Sequence, residues 1–281
     1  MQAPDPSAEP GPGSLPPDPV IVTGAPRTGV RLLAAILDGH PALASGPDLP
    51  IIATLVQQWH EIHLNLAEHH ERNHRLAPDR SRAAFREAVL KLFAPRLEST
   101  GKQQFVLQSF TAVALLDKFA SLFRDARFIL TVRDPLAVAR SLLECDWRDV
   151  RTGEALAYTR DPVAAARFTA HHLASALQKP TELQSEGRLM VLRYERLCAD
   201  PAGAMAQVGS FLDEAVPQPF VSHSSAELVT RSTDNPHPVL RSGAVDTTSL
   251  RRRKPLELGP MTAAIEQLRW SLGYRGHNRW T

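Results

Sequence analysis

The stretch Val20–Pro41, VIVTGAPRTGVRLLAAILDGHP, decides the fold. Residues Val20 to Thr23 are apolar and β-branched, and Gly24 ends them, which is the composition of a buried strand. From Val30 onward Leu32, Leu33, Ile36 and Leu37 fall on one helical face, and Gly39 stops the pattern. A strand that turns through glycines into a helix is where α/β proteins hold phosphate groups, because the first N–H groups of the helix are free and its dipole is positive there. Gly24 and Gly29 let the backbone approach a ligand closely. Arg27 sits in the turn and Arg31 in the first helical turn. Two cations oppose the helix dipole, so the turn is expected to hold an anion with them. The lysine and hydroxyl that close a P-loop are nevertheless absent.

Working outward, "QQFVLQS", "RFILTVRDP" and "RLMVLRYERL" read as three further strands. Between them lie helical segments: residues 51–97, rich in His, Arg and Glu and punctuated by Pro78 and Pro95; "AVALLDKFASLF"; "LAVARSLLECDW"; residues 162–178; and "PAGAMAQVGSFLD". Asp134-Pro135 is an N-cap followed by proline at the first helical position. The pattern fades beyond Pro217 and returns as a last helix, "MTAAIEQLRWSLGY". Strands alternating with helices predict a parallel sheet covered on both faces. The first 19 residues carry seven prolines and read as a disordered or extended leader, leaving residues 20–281 as a single domain.

Composition narrows the function. A net charge of +2 excludes a strongly basic nucleic-acid binder. No apolar run reaches the roughly 18 residues that cross a membrane, and the N-terminus lacks the apolar core of a signal peptide. The two cysteines, Cys145 and Cys198, form neither a metal motif nor a disulfide framework, so a cytoplasmic protein is expected.

A second constellation sits in "RFILTVRDPLAVARSLL". Arg133 leaves the end of a strong strand, where open α/β sheets bind ligands. Ser141 lies nearly two helical turns past Asp134 and on the same side, so one phosphate is within reach of both. Taken with the first turn, this resembles the sulfotransferase superfamily that uses 3′-phosphoadenosine 5′-phosphosulfate (PAPS), nearest the branch of tyrosylprotein sulfotransferases and many bacterial enzymes. That family's 5′-phosphosulfate loop reads G-x-P-R-[ST]-G-T-T-L-L and is followed by H-P; here it is GAPRTGVRLLAAILDGHP. Its 3′-phosphate motif, R-D-P-x-x-V-x-x-S, is RDPLAVARS here. "LRYERLCADPAGAMAQVGSFLD" is similar to its Y-E-x-L-x-x-D-P segment, so Tyr194 joins the nucleotide site by resemblance.

The resemblance implies a P-loop-like parallel sheet flanked by helices. It also implies a metal-free transfer of sulfuryl from PAPS to a hydroxyl on a small molecule or peptide. Arg27 would stabilise charge on the sulfuryl and bridging oxygens. The N–H groups of Thr28, Gly29 and Val30 would cradle the 5′-phosphate, and Arg133 and Ser141 would bind the 3′-phosphate. The family closes a basic loop over the nucleotide. "SLRRRKPLELG", with Arg252, Arg253 and Lys254, is its counterpart here, although a plain solvated loop reads equally well.

This sequence departs from the pattern in three places. Val30-Arg31 replaces the usual T-T, and Arg31 offers a charge-assisted contact instead. Gln108 stands where members often carry a lysine. Asp48 occupies the place of the tyrosylprotein branch's catalytic glutamate. The histidines His60, His63, His69, His70 and His74 are the competing candidates for the base; His70 and His74 are one turn apart, but solvated helix histidines are commoner than metal ligands. Glu195 reads as support for the strand end. Two other functions fit the sequence: a P-loop-type small-molecule kinase, which lacks its Walker lysine here, and a non-catalytic nucleotide-binding homologue.

Overall fold

The computed structural model describes residues 15–149, 151–177, 181–213 and 256–274. Five strands form one parallel sheet: β1 (Val20–Gly24), β2 (Leu43–Ser45), β3 (Gln104–Ser109), β4 (Arg127–Val132) and β5 (Leu189–Arg193). Their order is β2-β3-β1-β4-β5. β1 therefore lies between β3 and β4, with Val22 beside Gln108 on one side and Ile129 on the other. The chain leaves β1 towards β2 and leaves β4 towards β5, in opposite directions along the sheet. The carboxyl ends of β1 and β4 thus flank a topological switch point, where such sheets leave a crevice.

The period-two alternation of each strand splits its side chains between two cores. Ile21, Phe105, Leu107, Phe128 and Leu130 face helices α2 (Pro50–His74), α3 (Pro78–Thr100) and α4 (Leu116–Leu122), where they meet Val56, Trp59, Phe93 and Phe119. Phe93 and Phe105 stack with ring centroids 4.2 Å apart. Val20, Val22, Val106, Ile129 and Leu192 face the other way. They meet α1 (Val30–Asp38), together with α8 (Tyr194–Ala199) and α9 (Pro201–Leu212). Phe128 is wholly buried, and truncating such a residue to alanine typically costs about 3–5 kcal/mol. Helices α5 (Pro135–Leu143) and α6 (Pro162–Leu177) pack together beyond the β4 end, and α10 (Thr262–Ser271) covers them. The short α7 (Thr181–Ser185) precedes β5.

Four of the five strands and the parallel sheet are those expected from the sequence. Three details differ. β2 is only three residues long, too short to show a period. Pro95 lies inside α3 and does not end it. Both Pro95 and Lys91, whose carbonyl loses its partner to the proline, are exposed, so the proline sits on the solvent side of the helix, where the loss is cheapest. Third, order begins ahead of the boundary expected after Pro19. Asp18 is buried, accepting from Arg86 and from the Asp125 N–H, and its carbonyl accepts from Gln104. Arg252, Arg253 and Lys254, and residues 1–14 of the leader, lie outside the described residues.

Candidate active site

The turn from β1 into α1 is shaped from beneath. The Thr28 hydroxyl donates to Ala25 O at 2.7 Å and meets the Thr131 hydroxyl at 2.8 Å. Thr131 itself reaches Thr23 O in β1, tying the turn to β4. Gly24 has φ 154°, and a Cβ there would come within 2.5 Å of Thr131 O, so only glycine fits. Gly29, the N-cap of α1, has φ 101°, and a Cβ would strike the Tyr194 ring at 2.7 Å. Arg27 also adopts a left-handed backbone, φ 72°, which is unfavourable for a residue with a Cβ.

These constraints leave the upper face of the turn open. No side chain caps α1, and no acid stands in its first turn. The first intrahelical bond from this end is Leu33 N–H to Gly29 O, so the N–H groups of Gly29 and Val30 remain available to a ligand. Thr28 departs from the sequence expectation. Its N–H donates to Ala25 O at 3.2 Å and its side chain is wholly buried, so it is scaffold rather than cradle.

The second turn delivers Arg133 and Ser141 to the same place. The Asp134 carboxylate accepts from Leu136 N–H and starts α5 with Pro135 behind it. Arg133, only 7% exposed, lies over the Tyr194 ring at 4.2 Å and donates to Arg27 O at 3.0 Å. Arg27 Nε donates to the Ser141 hydroxyl at 3.0 Å. The spacing between Arg133 and Ser141 thus becomes one contiguous group with Arg27, Gly29 and Tyr194.

Three guanidinium groups crowd this site. Burial pushes the Arg27 pKa down, and the neighbouring Arg133 pushes it further. Burial likewise lowers Arg31, with Arg27 opposing its charge and Asp48 supporting it. Arg31 lies 5.6 Å from the Phe110 ring, and its Nε is buried with no hydrogen-bond partner among the described residues. An uncompensated buried N–H of this kind is costly unless an anion meets it.

Asp48 stands on the other side of Arg31. Burial raises its pKa, and the Arg31 charge and a hydrogen bond from the Leu49 backbone partly oppose the rise. Its Oδ1 has no partner among the described residues. Gln108, at the position where a lysine was the family expectation, donates instead to Gly46 O and holds the loop that carries Asp48. The histidines lie along α2, where His69, His70 and His74 meet edge to face with ring centroids 5.8 Å to 6.1 Å apart. His63 stacks on Trp59 at 5.1 Å, while His69 and His74 are exposed. Among the described residues no group of three His, Cys, Asp or Glu side chains is arranged to hold a metal ion.

Sequence reasoning missed two neighbours. Trp147 sits 6.0 Å from the Arg27 guanidinium. The Cys145 thiol donates to Ser141 O at 3.3 Å, and burial raises its pKa against the pull of Arg27 and Arg31. Tyr194, by contrast, was expected in the site from the resemblance, and its ring both walls Gly29 and carries Arg133. For Trp147 and Cys145 the one available signal was their position just past Ser141 on the helix end that faces the turn.

Comparison with known proteins bears on the family and the fold. Residues 19–218 match the sequence profile of the sulfotransferase family. The chain is 26% identical over 274 residues to protein-tyrosine sulfotransferase 1 of Danio rerio, covering 92% of this chain and 72% of that protein. It is 30% identical over 132 residues to the protein of the same description from Mus musculus; that match takes in 44% of this chain and a third, 33%, of the mouse protein. In fold it is similar to the sulfotransferase domain of the curacin biosynthetic pathway. The TM-score is 0.55 at 19% identity, with 93% of this chain and 99% of that domain covered.

Proposed function

This chain belongs to the sulfotransferase family, and we propose that its donor is PAPS and its acceptor a hydroxyl on a small molecule or peptide. Membership of the family supports an enzyme that transfers sulfuryl to a hydroxyl and sets aside the kinase alternative; turnover on an acceptor is what separates it from a non-catalytic homologue. One observation supports PAPS above the rest. Three guanidinium groups converge on an uncapped helix start, and the buried Arg31 Nε has no partner among the described residues. Such a site fits a ligand with several anionic groups. The aligned relatives described as protein-tyrosine sulfotransferases favour a phenolic hydroxyl on a peptide as one form of the acceptor.

PAPS, when bound, supplies a sulfuryl group attached to a phosphate that can leave. Everything else is work for this chain's residues. Gly29 and Val30 offer N–H groups to the 5′-phosphate, and Arg31 adds charge in place of the threonine hydroxyl. Arg27 sits between the two turns, where it neutralises charge that develops during in-line transfer. Arg133 and Ser141 hold the 3′-phosphate; Ser141 accepts from Arg27 and keeps its own O–H to donate. Tyr194 keeps Arg133 flat against its ring. Asp48 takes the proton from the acceptor hydroxyl. Its raised pKa moves it towards the operating pH, where a general base works best. Arg252, Arg253 and Lys254 complete the proposal as the closing basic loop. Both cysteines are buried free thiols, which suits a reducing cytoplasm.

The test is calorimetry with adenosine 3′,5′-diphosphate against adenosine 5′-monophosphate. The diphosphate is expected to bind roughly 10- to 150-fold tighter, the value of one charged contact. Sulfuryl transfer is expected to continue in EDTA. Equal affinity for the two nucleotides would sink the 3′-phosphate assignment.

A further inference from the structure

The 3′-phosphate motif accounts for Arg133 but not for what stands behind it. The residue that follows, Asp134, gives its backbone N–H to Glu195 Oε1 at 2.9 Å. The other Glu195 oxygen accepts from the Tyr274 hydroxyl at 2.8 Å. The Asp134 carboxylate pairs with Arg269 of α10 through Nε at 3.1 Å and Nη2 at 3.1 Å. From the β5 end, Arg193 donates to Leu272 O at 2.7 Å and lies 4.6 Å from the Tyr274 ring. Gly273, at φ 76°, lets the chain pass there; a Cβ would sit 2.8 Å from Arg193 Nη2.

The arrangement is more specific than packing requires. Apolar contacts of Ile265 and Leu258 with Ala166 and Leu136 already seat α10 on the body of the protein. A buried carboxylate is costly unless fully paired, and Glu195, 5% exposed with its pKa raised by burial, is paired on both oxygens. Its two partners come from the β4–α5 turn and from the chain just past α10. Moreover, Tyr194 and Glu195 grip Arg133 and Asp134 respectively, two adjacent residues held by two adjacent residues.

We propose that Glu195, Tyr274 and Arg269 are positioning residues for Arg133, so that the segment Thr262–Tyr274 is a working part of the 3′-phosphate site. Glu195 fixes the peptide at Asp134, Arg269 fixes its side chain, and the turn between them aims the Arg133 guanidinium. This rests on the PAPS reading, and the experiment separates the two.

The unaltered protein, Tyr274→Phe and Arg269→Gln are titrated by calorimetry with adenosine 3′,5′-diphosphate and adenosine 5′-monophosphate, with melting temperatures recorded alongside. Each variant is expected to lose about tenfold in diphosphate affinity while monophosphate affinity holds within about twofold, since a misaimed arginine forfeits one charged contact. A segment that only stabilised the fold would weaken both nucleotides together or neither, and either result overturns the proposal. If the unaltered protein shows no preference for the diphosphate, the donor reading fails and this proposal falls with it. If the preference is present and survives in the variants, the positioning role alone fails. Should Tyr274→Phe not fold, Arg269→Gln decides by the same ratio.

Discussion

The turn after β1 is held from below and left open above, whereas the turn after β4 is held on every side. The first relies on glycines at φ 154° and 101°, buried threonine hydroxyls and an arginine in a left-handed backbone. No side chain caps its helix. The second begins with Asp134, whose carboxylate caps the helix and pairs with Arg269 and whose backbone N–H donates to Glu195. Both are strand-turn-helix units at neighbouring strand ends, yet the spare polar capacity goes to different places. In the first it points into the cleft. In the second it is spent on the protein itself, and one guanidinium is presented. The open turn suits a group whose charge changes during reaction; the closed turn suits one that only has to be recognised.

The largest expected effect lies on the open side. Asp48→Asn keeps the shape and removes proton-accepting power, and is expected to lower kcat by ~10²- to 10⁴-fold with nucleotide affinity nearly intact. His60→Ala, His63→Ala and His70→Ala serve as controls in the same steady-state assay. Collapse of one of them with Asp48→Asn at full rate would move the base to that histidine. Next comes Arg27→Ala, expected to cost roughly 10²- to 10³-fold in kcat, the usual loss for one electrostatic stabiliser.

Arg133→Ala sharpens the contrast. It is expected to weaken diphosphate binding by roughly 10- to 150-fold and to spare kcat at saturating donor. If Arg27→Ala and Arg133→Ala lose the same quantity, the two turns do one job and the contrast between them fails. The smallest effect concerns Arg31 and pH. Burial raises the Asp48 pKa, so activity should fall as the pH drops through a value above the ordinary carboxylate range. Arg31 opposes that rise, so Arg31→Ala should move the acid limb of the kcat profile to still higher pH. It should also weaken nucleotide binding about tenfold at low salt, with a shallower salt dependence than the unaltered protein because one charged contact is gone. A limb that stays in place would put Arg31 out of electrostatic contact with Asp48.

Much of this was legible in the chain itself. Short apolar runs marked β1, β3, β4 and β5, and Asp134-Pro135 marked the start of α5 because cap chemistry is local. Arg27, Arg133 and Ser141 were legible as a group because their roles follow from fixed spacings next to strand ends. β2 was hidden by its length, and its place at the sheet edge is set by pairing with β3 and by Arg96, 51 residues away, which donates to Ser45 O, while nearby Asp38 accepts from the Ser45 N–H. The support given by Glu195 to Asp134 and Tyr274 was hidden for another reason. It joins residues 61 and 79 positions apart, and no periodicity carries such pairings. Thr28 misled because a family loop assigns N–H groups by position, while the turn had already used that one on Ala25.

The left-handed backbone of Arg27 has a consequence for how this protein can be altered. A residue with a Cβ at φ 72° costs the fold roughly 1–2 kcal/mol, a cost that glycine escapes. Stability and turnover are therefore in direct conflict at this single position. A selection for heat resistance alone should enrich Arg27→Gly, and the survivors should melt later while losing roughly 10²- to 10³-fold in kcat. The arginine persists there only while catalysis is what is being selected.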